Sequence, residues 1–425
     1  MRLPAGTALH VALRFLPDES VPVGRLAWGD TRAVFEYDPA FIASGLRINP
    51  NLGAPASTLL EPKNPRVFRG LHGVFADSLP DAWGEALLRR RAQAEGIVYD
   101  TLNALDRLAW VGGSAMGALS YAPDNSLKPQ DTPVDLDRYA AEAYAMLEGE
   151  LDHVVPALIA LGAPSGGARP KILVSLDDVG RASAVEKPGY TPWLIKFRGP
   201  QDPEDIARLE AAYADMARSA GMTVSATRLL GERNTAYFAT QRFDRDGPHR
   251  IHMLSFAAFL DAEWQVPSGD YDLAMRIVRN VVRDVDALEE MYRRMVFNVV
   301  AHNRDDHWKQ HALMMRSDGS WTLAPAYDLT PNPGPGGEHY LTVNGRGKAI
   351  TLDDLLAVAD AHAIRRPKAA GIINQVRAAV ADFSKHAATY DVAKATVNAT
   401  KALQAAATAS LESAAMGVKR QRRRT

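Results

Sequence analysis

An α+β protein of roughly two to three domains is the fold class the sequence predicts, and three observations carry it. The chain has 425 residues, more than one compact core ordinarily holds. Its first 60 residues fall into short alternating β-like runs, whereas the stretch from 254 onward carries helical periodicity. Between them, residues 165–245 read strand, strand, helix, strand, strand. At 47% hydrophobic and 23% charged residues, the composition is that of a globular chain and excludes low-complexity disorder.

The elements follow in order. Residues 8–15 (ALHVALRF) and 22–28 (PVGRLAW) alternate as strands, and 34–38 leads into a turn. The run DAWGEALLRRRAQAE (81–95) predicts a helix, 101–110 a second, and a glycine-rich stretch from Gly112 to Gly117 precedes the short strand ALSY. Polar, proline-bearing residues 122–135 read as a linker before a helix at 136–149. Strands are expected at 171–176, 192–197, 226–230 and 236–243, with a helix over 203–220. That helix opens at Asp202 and Pro203 and ends at Gly221. A hairpin at 311–325 with an Asp318-Gly319 turn interrupts the helical remainder. Thr351 and Asp354 are spaced as a capping box for the alanine-rich region 350–415. The domains divide at 1–125, 126–245 and 246–425.

Composition narrows the chemistry. No stretch approaches the ~18 uncharged apolar residues of a membrane span, and the N-terminus lacks the pattern of a secretory signal, so a cytoplasmic location is expected. Cysteine is absent, which excludes disulfides, thiolate zinc sites and cysteine nucleophiles. Basic and acidic side chains number 49 and 50. Removing the five terminal cations Lys419, Arg420, Arg422, Arg423 and Arg424 takes the net charge from −1 to −6. A mildly acidic body argues against a broad DNA-binding face of its own, and the tail reads as a frayed, solvated terminus.

Four separated motifs carry the candidate chemistry. Gly166, Gly167, Ala168, Arg169, Pro170 and Lys171 lead into a strand, and small residues let backbone N–H groups approach phosphates. By itself this pattern also fits an ordinary tight turn. Lys196 stands in the apolar strand WLIKF, like a kinase lysine gripping phosphates, or like a lysine on an exposed edge. Glu210 borders the helix stripe of Ile206, Leu209, Tyr213, Met216 and Ala220, where it could pair with that lysine or stay a surface carboxylate. Asn303-Arg304-Asp305-Asp306-His307-Trp308-Lys309-Gln310 follows a helix over 288–302. Asp305 and Gln310 are five apart, the spacing of the catalytic Asp and the metal-side amide in a kinase loop. Asp328, beyond the hairpin, completes the order with a second metal-side carboxylate. Asp306 is the competing base, but its spacing to Gln310 is wrong, so Asp306→Asn is expected to be mild.

Rival readings are weaker. His302, His307 and His311 beside Asp305 and Asp306 could hold zinc or iron, but their spacing matches no metal signature. A serine hydrolase lacks its G-x-S-x-G elbow.

Taken together, these motifs resemble the HipA family, the serine/threonine-kinase toxins of type II toxin–antitoxin modules. DSLPDAWGEALLRRR, WVGGSAMGALSY, SGGARPK, WLIKF, QRFDR, NRDDHWKQH and APAYDLTP all stand in that family's order. The resemblance implies a protein-kinase-like bilobal fold: a mixed N-lobe with an extra β-rich N-terminal subdomain, and an all-helical C-lobe. It implies ATP and Mg2+ as cofactors, with Asp305 as catalytic base and Asp328 and Gln310 on the metal. Gly166 to Lys171, Lys196 and Glu210 would serve the phosphates, and Gln241, Arg242 and Phe243 the adenine. His307, Trp308, Lys309 and Tyr327 would line the nucleotide. The implied partners are a small helix-turn-helix, HipB-like antitoxin and, through it, operator DNA. The implied substrate is a protein hydroxyl on a translation component such as an aminoacyl-tRNA synthetase. Two positions depart from the family: Gln310 replaces Asn, and Pro164 replaces the autophosphorylated serine, with Ser165 next to it. The first departure leaves an alternative, a pseudokinase acting only by binding.

Overall fold

The computed structural model describes residues 2–151, 154–231 and 235–421, with side chains through 412. The tail arginines Arg422, Arg423 and Arg424 therefore lie outside the described residues. The chain forms two compact units, neither of them one continuous segment. The first comprises Met1–Ala207, Ala226–Ala262 and Leu313–Ser320, and the second Arg208–Ser225, Glu263–Ala312 and Trp321–Thr425.

In the first unit, strands Ala33–Tyr37, Glu19–Trp28, Leu9–Leu16 and Leu119–Ala122 lie side by side in that order, all antiparallel. Leu9, Val11, Leu13 and Phe15 are buried while His10 and Arg14 are exposed, the period-two pattern of a half-buried sheet. A second antiparallel sheet runs Ala182–Ser183, Lys171–Leu176, Thr191–Lys196, Tyr237–Gln241, Thr227–Leu230. Helix Ala82–Ala94 joins this sheet in one apolar core, with Trp83, Leu87, Ile172, Trp193, Ile195 and Phe197 buried together. A short helix, Pro156–Gly162, absent from the sequence expectations, closes the same core. A proline in the helix's first turn and five consecutive apolar residues explain it.

The second unit is built on helices Tyr271–Val281, Val285–Val300, Leu352–Ala361, Arg366–Ala381, Phe383–Thr389 and Lys394–Gln421. Tyr213 lies at its centre, its ring against Phe297 and Phe383 and its hydroxyl donating to the Ala301 carbonyl at 2.9 Å. The Thr351–Asp354 capping box forms as the spacing predicts. An all-helical region from 246 onward does not form. Short strands occur at His252–Ser255, Gly269–Asp270, Ala312–Met315, Trp321–Leu323 and Leu341–Thr342. After Asp328 one local cause is plain: Pro331, Pro333, Gly334, Pro335, Gly336 and Gly337 cluster there, and a helix cannot run through them. No described helix is long and apolar enough to cross a membrane.

Candidate functional site

The first unit holds the glycine loop, Lys196 and residues 241–243; the second holds Glu210, Asp305, the rest of the 305–310 loop, Tyr327 and Asp328. In the first unit, Lys171 and Lys196 lie directly opposite each other on neighbouring antiparallel strands. Directly opposed residues project from the same sheet face. Both are largely buried, at 4% and 8% exposed, so Lys196 is no edge-strand surface lysine. The Lys171 ammonium donates to the Gly166 carbonyl at 2.6 Å. Lys196 Nζ lies 5.6 Å from the Phe238 ring centre. Gly167 takes a left-handed φ of 91°, which favours glycine, and a Cβ there would press on Lys171 Nζ, the movable end of a flexible side chain, at 2.3 Å. Arg169 pairs with Asp202 at 3.1 Å.

Arg242 is committed elsewhere. Its guanidinium forms a two-point pair with buried Asp244, at 2.9 and 2.7 Å. Burial alone would raise the Asp244 carboxyl, but Arg242 and Arg245 hold it well below the usual carboxylate range. Burial and the neighbouring Arg242 charge in turn lower Arg245 to about 9. Asp244 also accepts from the Gly117 amide at 2.7 Å, and Arg250 donates to the carbonyls of Gly117 and Ala115. This buried knot fastens QRFDR to the glycine-rich run 112–117, a link that sequence reading missed. Ser165 is fully buried, its hydroxyl donating to the Gly162 carbonyl at 2.6 Å. Phosphopeptide mapping after incubation with ATP is accordingly expected to find no phosphate on Ser165. Stoichiometric modification there would show that the loop opens.

In the second unit the two adjacent aspartates separate sharply. Asp305 has 37% of its side chain exposed, with His307 Nε2 at 3.8 Å. Asp306 is wholly buried. It accepts the Tyr271 hydroxyl at 2.7 Å, His339 Nδ1 at 2.8 Å and the Tyr340 amide at 2.9 Å. Burial pushes its carboxyl up, but the His339 charge and these bonds hold it below the ordinary value. Asn298 extends the network, donating to the Tyr271 hydroxyl and accepting from Asn303. The loop thus has a buried anchor and an exposed carboxylate side by side.

Neighbouring residues set the loop's shape. His307 lies edge-on to Trp264 at 4.9 Å and Tyr340 at 5.3 Å. Burial lowers its pKa, opposed by Asp305 and Asp328. Trp308 is buried against Gly269, where a Cβ would stand 2.0 Å from the indole. Lys309 Nζ sits 4.9 Å from the Trp264 ring centre, and the Tyr327 hydroxyl donates to the Lys309 carbonyl at 2.6 Å. Gln310 Nε2 donates to Asp328 Oδ2 at 3.2 Å, so the two metal-side candidates are adjacent. Asp328 holds a left-handed φ of 57°, uncommon for a residue with a side chain and a frequent mark of functional strain. Glu210 is buried within helix Ile206–Ser219, which excludes the surface-carboxylate reading. Among the described residues, no three His, Asp or Glu side chains gather as a metal-binding group, so the zinc or iron alternative lacks a ligand set. Sequence reading missed Tyr271, His339 and Trp264, which lie far from the motif along the chain and carry no signature of their own.

An α+β chain with a strand-borne lysine pair and an exposed aspartate on an anchored loop belongs to the kinase-like class by its parts. Comparison with known families is specific. Residues 163–383 match the HipA-like C-terminal domain and residues 18–122 the HipA N-terminal domain. The first match covers more than half of the chain, and the protein belongs to the HipA-like family. The fold is similar to that of HipA from the Shewanella oneidensis MR-1 complex of HipA, HipB and operator DNA. The TM-score is 0.68 with 16% identity, over 95% of this chain and 96% of that one. A curated relative, "Putative kinase Y4dM" of Sinorhizobium fredii, is 27% identical over 151 residues. That segment is 32% of this chain and only 36% of the relative's length.

Proposed function

We propose that the chain is an ATP-dependent serine/threonine protein kinase acting as the toxin of a toxin–antitoxin module. The observation that carries this reading is the exposed Asp305 beside the adjacent Gln310–Asp328 pair, on a loop that Asp306 anchors from within. The acceptor hydroxyl oxygen bonds to the γ-phosphorus as the bond to the β,γ-bridging oxygen breaks and ADP leaves. Asp305 takes the hydroxyl proton. Lys171 and Lys196 attract the triphosphate. Asp328 and the Gln310 amide oxygen offer the hard donors that magnesium prefers, and so few protein ligands suit a cation that keeps waters and phosphate oxygens. Bound there, magnesium would neutralise phosphate charge.

Lys196→Met is expected to weaken Mg-ATP binding by about tenfold or more, since a buried ammonium–phosphate contact is lost. Calorimetry showing unchanged affinity would remove Lys196 from the site. Transfer of labelled γ-phosphate to proteins in a cell lysate tests the activity itself. The second reading, a pseudokinase, is favoured by one observation: Gln310 stands where the family's catalytic loop carries Asn. ATP binding without any transfer would select it. The partner we propose is a HipB-like helix-turn-helix antitoxin that brings the toxin to operator DNA, and the substrate a translation component such as an aminoacyl-tRNA synthetase. Family membership supports both, and the mildly acidic body supports DNA contact through the antitoxin. Tight operator binding by the isolated chain at physiological salt would overturn that division of labour.

A further inference from the structure

We infer that Asp81, from the N-terminal module, is a positioning residue for the glycine loop, so that the module forms part of the nucleotide site. The inference rests on the kinase reading above. Asp81 stands at the N-cap of helix Ala82–Ala94, where an aspartate ordinarily accepts from its own helix's first amides. Here it makes no such bond. Its carboxylate instead accepts the amide of Gly167 at 2.9 Å, 86 residues further along. The carbonyl of the same residue accepts the Trp83 amide at 3.3 Å. Residues 81–83 therefore hold both the N–H and the C=O of Gly167, the residue that takes the left-handed turn.

Two further contacts extend the grip. Trp83 is fully buried and its indole N–H donates to the Lys171 carbonyl at 2.8 Å, fixing the loop where it becomes a strand. Gly84 approaches so closely that a Cβ would stand 2.4 Å from the Ala163 carbonyl, at the loop's other end. The segment 81–84 thus seats the loop at its entry, its turn and its exit. A helix that gives up its own cap bond for this contact forgoes the stabilisation that the cap would supply. A residue serving only its helix would not point away from it. The carboxylate holds Gly167 in its left-handed turn, which keeps the loop close over Lys171.

The full-length chain tests this by calorimetry with Mg-ATP and by hydrogen–deuterium exchange over 163–171. Asp81→Ala removes the acceptor, and ATP affinity should fall on the order of tenfold, with faster exchange at Gly167 and helix Ala82–Ala94 still protected. Asp81→Asn keeps an acceptor oxygen and should bind ATP within about threefold of the wild type. Unchanged or tighter ATP binding in Asp81→Ala would overturn the assignment. So would Asp81→Asn as weak as the alanine variant, or global unfolding of Asp81→Ala, which would make the residue merely structural. If the wild-type chain binds no ATP, the kinase reading fails, and exchange at Gly167 alone then decides whether Asp81 seats the loop.

Discussion

Asp305→Asn is expected to lower phosphoryl transfer by about 10²–10⁴ while leaving Mg-ATP binding near wild type. The amide keeps the carboxylate's shape and removes its capacity to take a proton. The side chain is 37% exposed and the exchange is isosteric, so stability should change by about 0.5 kcal/mol or less. Paired assays, labelled γ-phosphate transfer beside ATP calorimetry, separate the two effects. Transfer that survives in Asp305→Asn would mean that the register of the loop is wrong. Loss of ATP binding together with transfer would make Asp305 a nucleotide ligand instead of a base.

Asp306→Asn is expected to be severe for a different reason, and the mild effect anticipated from spacing is revised. Its two oxygens receive a tyrosine hydroxyl, a histidine ring nitrogen and a backbone amide, all in a site with no solvent access. An asparagine there turns an NH2 group toward groups that themselves donate, so at least one buried donor loses its acceptor. The expected cost is about 3–5 kcal/mol. Thermal unfolding should shift down, and transfer should fall with it because the adjacent Asp305 loses its anchor. A variant as stable as wild type would refute the anchor role. The pH dependence has a definite sign. A carboxyl held below its unfolded value contributes stability that is present above that value and lost as pH falls through the folded one. For Asp306 that window opens just under 3.8 and runs downward. Acid unfolding should therefore begin earlier in the wild type than in a variant whose Asp306 network has been replaced by neutral packing.

Much of the site was legible because its determinants are local. The five-residue interval from Asp305 to Gln310, the strand placement of Lys196 and the turn at Asp318-Gly319 all depend on near neighbours in the chain. The helix cap at Thr351 forms where the residue pattern asks for it. The all-helical expectation for 246–425 failed where proline and glycine outweighed the periodicity around them, at 331–337. Arg242 shows a different limit. Its guanidinium pairs with a buried carboxylate two residues on, a tie that the motif's likeness to an adenine hinge did not foretell.

From the sequence alone came the α+β class, the order of the strands and helices, and the family that the motifs resemble. The class and the element order follow from periodicity, capping and spacing, which act over a few residues; the family follows from the likeness of the motifs. Only the tertiary structure decided which of two adjacent aspartates faces solvent, because that depends on Tyr271 and on His339 and Tyr340, 35, 33 and 34 residues away. It also decided that Asp81 leaves its own helix for Gly167, and that the compact units interleave segments distant in the chain. A buried polar group must find its partner wherever the fold brings one near. No local pattern in the chain records that choice.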